Sequence, residues 1–182
     1  MTKARDLSVG IPNGLVLIKP TGATNGTVND SGTVTIGSAV ASVTVSGAFS
    51  ATYDNYLLIF AGLDQSTSSQ SQLKYNNSTG ATYSFGGNYQ NYAFSNLLAG
   101  SVGNTVHVIS INGGNATISA VVNIQSPFLA KRTTHQSSYS NLAFLGNLNG
   151  YDNNAVSQTG FTYQHDAGTI TGGTIRVYGY QN

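Results

Sequence analysis

Residues 39–61 read AVASVTVSGAFSATYDNYLLIFA. The opening octet alternates, with Val43 and Val45 on one side and Thr44 and Ser46 on the other, which is the two-residue period of a half-buried strand. Gly47 and a run of small polar residues follow, ending at Asp54, whose short carboxylate suits a turn by capping backbone amides ahead of a strand. The last six residues, YLLIFA, are continuously apolar, as in a central strand covered on both sides or one lying in a subunit contact. Helices need apolar residues at a sustained 3.6-residue period, and this chain interrupts itself with Gly, Asn, Ser or Thr every few residues. The stretch therefore places the chain in the all-β class.

Working outward, further strand candidates recur at roughly 8–12 residues, the spacing of a sandwich or barrel. GLVLIK (14–19) is a first candidate and TVTIG (33–37) a second. Residues 66–72 (STSSQSQ) read as an exposed loop before a short strand at 73–75. Residues 81–85 and 89–94 carry aromatics among glycines and read as strands or an ordered loop. VHVISI (106–111) alternates, Gly113-Gly114-Asn115 signals a hairpin, and ATISAVVNI (116–124) returns. Residues 132–141 are polar and read as an edge strand, 160–165 follow, and 174–180 finish. Roughly eight to ten strands suit an antiparallel, jelly-roll-like β-sandwich.

The terminal TIRVYGY puts Ile175 and Val177 on one face and Arg176, Tyr178 and Tyr180 on the other. Such a strand belongs to a sheet, so its deletion would bare a core face and two hydrogen-bonding edges. Residues 1–13 show no strand pattern, and PTGATNGTVNDSG (20–32) is turn-rich. Residues 1–32 are accordingly expected to form an extended arm or linker ahead of a sandwich domain over 33–182, with 14–19 as an alternative first strand. Such an arm acquires a fixed shape by lying along another chain, and Lys3, Arg5, Asp6, Leu7 and Ile11 are the side chains it would use for docking.

Composition narrows the functional classes. The 182 residues contain seven Lys plus Arg, six Asp, no Glu and no Cys, for a formal net charge of +1. Without cysteine there is neither a disulfide scaffold nor a thiolate metal site. No clustered basic face favours nucleic acid. No apolar run approaches the ~20 residues of a membrane-spanning helix. The N-terminal residues lack the apolar stretch of a secretory signal, which points to synthesis and retention in a cytoplasm. Sequons at Asn25, Asn29, Asn76, Asn77 and Asn115 are then the chance product of an Asn/Ser/Thr-rich chain. What remains is a neutral, polar exterior, and one whose few lysines leave strand edges poorly guarded. Contacts between copies would protect them.

Four blocks, GLVLIK, IGSAVASVTVSGAFSATYDNYLLIFAG, NIQSPFLAKRTTHQSS and GGTIRVYGYQN, resemble a family of tailed-bacteriophage virion proteins. Similar blocks there form a β-sandwich found in tail fibres and in head-decorating or fibre-like proteins. The resemblance spans residues 14–182, with SGAFSATYDNY and TIRVYGY its most specific parts, and ARDLS near the start is similar to segments that attach some phage fibres. It implies a structural role at the particle surface, a homotrimer, a contact with the major capsid protein or another virion protein, and no catalytic residues.

The chemistry-bearing residues are sparse. His107, His135 and His165 fall in no metal-ligand spacing, and are expected to point outward from a strand or lie on the surface. Asp152 and Asp166 are the carboxylates a hydrolase would draw on. YDNN (151–154) clusters oxygen donors without the register of a calcium loop. No GxSxG elbow occurs. No catalytic, cofactor or metal site is assigned. The aromatics are more suggestive: Tyr83, Tyr89 and Tyr92 stand close in sequence with Phe85 and Phe94, a composition shared by glycan-binding and subunit-contact surfaces. With no Trp in the chain, a subunit contact is favoured, the phenylalanines filling the core. The expectation is a noncatalytic capsid decoration protein that docks by its arm and oligomerises through its sandwich. A fibre protein binding a host glycan is the alternative.

Overall fold

The computed structural model describes residues 14–37, 39–93, 95–111 and 117–181. The arm residues Lys3, Arg5, Asp6, Leu7 and Ile11, the Gly113-Gly114-Asn115 turn and Phe94 lie outside the described residues. Regular structure among the described residues is entirely β. The strands are β1 (Leu15–Ile18), β2 (Gly22–Thr24), β3 (Thr27–Val28), β4 (Val34–Thr35), β5 (Ser42–Ser46), β6 (Asn55–Gln65), β7 (Ser71–Tyr75) and β8 (Tyr83–Asn91). They continue with β9 (Asn96–Asn104), β10 (His107–Ser110), β11 (Ile118–Gln125), β12 (Thr133–Ser140), β13 (Phe144–Asp152), β14 (Gly160–His165) and β15 (Ile170–Tyr180).

Two antiparallel sheets face each other. The larger runs β3-β4-β15-β6-β11-β12-β13-β8-β9, with β1 also paired to β15, and the smaller runs β10-β7-β14-β5-β2. Setting aside β1–β3 and the hairpins β8–β9 and β12–β13 leaves β4, β5, β6, β7, β10, β11, β14 and β15. Numbered from first to eighth, these order as 1-8-3-6 in one sheet and 2-7-4-5 in the other, which is jelly-roll wrapping. The two hairpins are insertions, both added to the same side of the larger sheet, so that it extends well past β11. β10 closes the smaller sheet beneath this extension, packing against β12, β13 and β8.

The core lies between the sheets and, in β5 and β15, follows the alternation read from the sequence. Tyr56, Leu58 and Phe60 of β6, Val122 and Ile124 of β11, and Ile175 and Val177 of β15 point inward from the larger sheet. Val43 and Val45 of β5, Leu73 and Tyr75 of β7, and Phe161 and Tyr163 of β14 meet them. Phe60 lies 5.0 Å from Tyr163 and 6.2 Å from Phe161 between ring centroids, so aromatic packing joins the two layers. Each such buried side chain contributes about 1.5–3 kcal/mol of hydrophobic stabilisation. The SATYDNY turn is pinned from below: the Tyr56 hydroxyl accepts the Ser50 N–H at 2.8 Å and donates to the Ser50 carbonyl at 2.9 Å. Tyr53 packs over Gly179, where a Cβ would come within 2.5 Å of its ring, and this explains the glycine between two tyrosines near the end of β15.

Three expectations change. Residues 20–32 are not arm, and the alternative first strand at 14–19 is present as β1: β1 pairs with β15, β2 with β5 and β3 with β4, so the sandwich begins at the start of the described chain. β2 and β3 carry little alternation because they are edge pieces of two and three residues. Residues 132–141 do not form an edge. As β12 they sit inside the sheet between β11 and β13, polar on both faces because the outward side meets solvent and the inward side meets β10. Finally, NLLAGSVGN (96–104) forms β9, a strand whose glycines and irregular alternation concealed it.

The outer face of the larger sheet is nearly free of charge. One row across the strands reads Leu17, Tyr178, Leu57, Asn123, Gln136, Asn149, Gly86, Gly100. The next reads Arg176, Ile59, Val121, Ser138, Asn147, Asn88, Leu98. Continuous apolarity in YLLIFA thus has two causes: Tyr56, Leu58 and Phe60 enter the core, while Leu57, Ile59 and Ala61 form an apolar strip on the outside.

Candidate functional site

The aromatic trio does not form one surface. Tyr83 is fully buried, facing inward at the start of β8, and its hydroxyl accepts the Tyr75 N–H at 2.8 Å. Burial pushes its phenol up to about 12. A ring closed within the core offers no face to a glycan or a second subunit, so Tyr83 is a packing residue. Tyr89 is half-buried, edge-on to Phe144 at 5.3 Å. Tyr92 in the β8–β9 loop is 54% exposed, and its hydroxyl donates to the Asn141 carbonyl at 2.9 Å. Phe85 packs partly against the core as expected.

All three histidines are buried, against expectation, with exposures of 0%, 2% and 6% for His107, His135 and His165. His107 projects inward from β10 and meets His135 of β12, ring against ring. Gly150 on β13 makes the room, since a Cβ there would reach 2.6 Å from His135 Cε1 and 2.9 Å from His107 Cε1. The β12–β13 insertion brings about this burial, and a local pattern cannot reveal a layer supplied by a remote hairpin. Burial holds His135 down at about 3. His107 is lowered well below the usual imidazole range, first by burial and then by the charge His135 would carry.

Around this pair, Tyr75 Oη, Thr133 Oγ1 and Asp152 Oδ2 join both nitrogens of each imidazole as buried polar atoms without a hydrogen-bond partner. Tyr83 stands 5.1 Å and Tyr75 6.3 Å from the His107 ring. Among the described residues no three of His, Cys, Asp or Glu are grouped to hold a metal. Asp152 Oδ1 is engaged by the Thr82 hydroxyl at 2.6 Å and the Asn154 N–H at 3.0 Å. The carboxylate of YDNN is therefore a fastening of the local chain. Asp166 accepts the Gln70 N–H at 2.7 Å, just before β7, whereas Asp152 lies near Tyr75 and Tyr83 at the far end of that strand. At ~3.3 Å per residue, the two carboxylates are well beyond the ~5–9.5 Å separation that glycoside hydrolysis uses.

The built surface feature is elsewhere. At one end of the outer face, Asn55, Asn123, Gln125, Gln136, Tyr180 and Gln181 line a groove of about 490 Å³ with no charged side chain. It spans the ends of β15, β6, β11 and β12. Tyr180 reaches over β6 to donate its hydroxyl to Asn123 Oδ1 at 2.6 Å, and Gln125 Oε1 accepts from Thr134 Oγ1 at 2.8 Å. These bonds hold the Asn123 and Gln125 amides by their oxygens at the groove, beside the Tyr180 ring. Neutral amides present paired donors and acceptors, the complement of a hydroxyl-rich, uncharged ligand. Sequence reading missed this site because its members are spread over four strands and each alone is an ordinary surface residue. No family model matches the chain, and no curated protein matches it either.

Proposed function

We propose that the chain is a noncatalytic structural protein of a bacteriophage particle, a capsid decoration protein. Residues 1–13 dock on the head, and the jelly roll packs against sister subunits through the outer face of its larger sheet. The observation that carries this reading is that face itself: a broad antiparallel surface on which Ile59, Ala61 and Val121 are partly or wholly open, with almost no charge. Jelly rolls recur in viral capsids, an analogy of fold that agrees with the resemblance of the sequence blocks. A protein that bridges capsomers stabilises the shell by binding its assembled state, adding buried area where internal pressure would open a joint. A neutral exterior suits this task because its contacts do not weaken as salt screens charge. A chain beginning at Gly14 is expected to remain a folded, soluble oligomer that no longer binds particles. Co-sedimentation with undecorated heads measures this, and normal occupancy by the shortened chain would refute docking by the arm.

The amide-lined groove favours a second reading, a fibre-like protein that holds a neutral host glycan there. Binding on a glycan array that is lost in both Gln136→Ala and Tyr180→Ala, with the fold retained, would favour it over decoration. An array without a hit would remove it.

A further inference from the structure

The strand edges of this molecule are unequal. β1, β2, β3 and β10 each expose an edge of two to four residues, too short to template much pairing. β9 is different: it is nine residues long, hydrogen-bonded to β8 on one side and, among the described residues, outermost in the larger sheet on the other. NLLAGSVGN has no proline and no charge, the devices that ordinarily discourage edge-to-edge association. Leu98 is 86% exposed and Val102 79% exposed, which makes them two of the most open large apolar residues described.

Both project on the outer face. Leu98 stands opposite Asn88, and Val102 borders Ser84, Gly86 and Asn149. They lie two residues to either side of Gly100. If two antiparallel β9 strands pair about a two-fold axis through Gly100, Leu98 of each copy falls opposite Val102 of the other. One operation thus pairs the free backbone of both edges and covers both exposed aliphatic side chains with one another.

The end of the strand limits the alternatives. The β8–β9 ladder shifts register between Ser101 and Asn104, and Gly103 has a φ of 68°, so the edge turns away just beyond Val102. Moving the axis to Ala99 would set Leu98 against Gly100 and leave its side chain uncovered.

We infer that β9 is a self-association edge: a second copy of this chain pairs with it antiparallel about Gly100, joining the two larger sheets into one. The occupant is a copy of the same chain because the two most exposed aliphatic side chains stand at equal distance from Gly100, so that a second copy covers both at once, and the edge carries no charge for an oppositely charged partner to select. This contact stands independently of where the protein resides and is tested on the isolated full chain.

Because the chain has no cysteine, introduced thiols report unambiguously. The double variant Leu98→Cys, Val102→Cys, concentrated and treated with a mild oxidant, is expected to give a disulfide-linked dimer on a denaturing gel. Each single variant is expected to stay unlinked, since like positions are offset by four residues, about 13 Å. An unlinked double variant, or single variants that link as readily, would overturn the register. Leu98→Lys at the exposed edge is expected to halve the mass seen by sedimentation at high concentration without changing the melting temperature. Retention of the wild-type mass by this variant would overturn the pairing.

Discussion

Acidification from pH 7 to pH 4 is expected to unfold this protein in a cooperative transition, far more steeply than its six carboxylates alone would cause. His107 and His135 are both buried and both held below the imidazole range of the unfolded chain, His135 at about 3. The native state therefore refuses protons that the unfolded state accepts once the pH falls below 6.5. Stability is fully present above pH 6.5 and is lost as the pH falls towards the folded-state values. Each such group costs up to about 1.4 kcal/mol per pH unit across that window. For His135 that amounts to about 3 kcal/mol over two units, and His107 adds to it in the same direction, against the ~5–15 kcal/mol that typically separates folded from unfolded chains. His165 adds to the same trend, its lowering by burial partly opposed by a backbone bond at Gln70 and by the charge of Asp166. The contact between the His107 and His135 rings sharpens the effect, since both cannot become imidazolium in place. Circular dichroism and chemical denaturation as a function of pH measure this. Replacing both, His107→Gln with His135→Gln, should flatten the profile between pH 6 and 4. A wild-type protein equally stable at pH 7 and pH 4 would contradict the assignment of the pair as neutral and buried.

A chain ending at Gly168 is expected not to fold at all. β15 lies between β4 and β6 and also carries β1, so its loss strips ladder bonds from three strands at once. Ile170, Ile175 and Val177 are each 0% exposed, and their removal also uncovers Leu58 and Phe60 on the adjoining β6. At ~1.5–3 kcal/mol for each buried side chain, the direct loss alone rivals the whole stability of a domain. The truncated chain should lack β-sheet ellipticity and a thermal transition. A chain shortened only by Gln181 and Asn182 should keep both. A well-folded product ending at Gly168 would show that the last strand is dispensable.

These two outcomes differ in how far they were legible beforehand. The role of β15 followed from its own residues: Ile175 and Val177 alternate with Arg176 and Tyr178, and the structure seats that pattern inside a sheet, between β4 and β6. The acid sensitivity did not. VHVISI reads as a strand with an outward histidine and TTHQSSY as a polar edge with a surface one, because a half-buried strand places alternate residues in solvent. Only the β12–β13 insertion, folding over β10, removes that solvent. Likewise β9 carries too little alternation to be recognised, since an edge strand buries little of itself. The amide groove gathers Asn55, Asn123, Gln136 and Tyr180 from positions as much as 125 residues apart.

Sequence alone determined the all-β class, the facing residues of β5 and β15, and the neutral character of the exterior. Those properties follow from side-chain period and composition, which are local. Tertiary structure decided which polar residues are buried, which edge stays open and which amides converge. Each of these depends on how distant strands are ordered across the sheets, and that order is a property of the whole chain's packing.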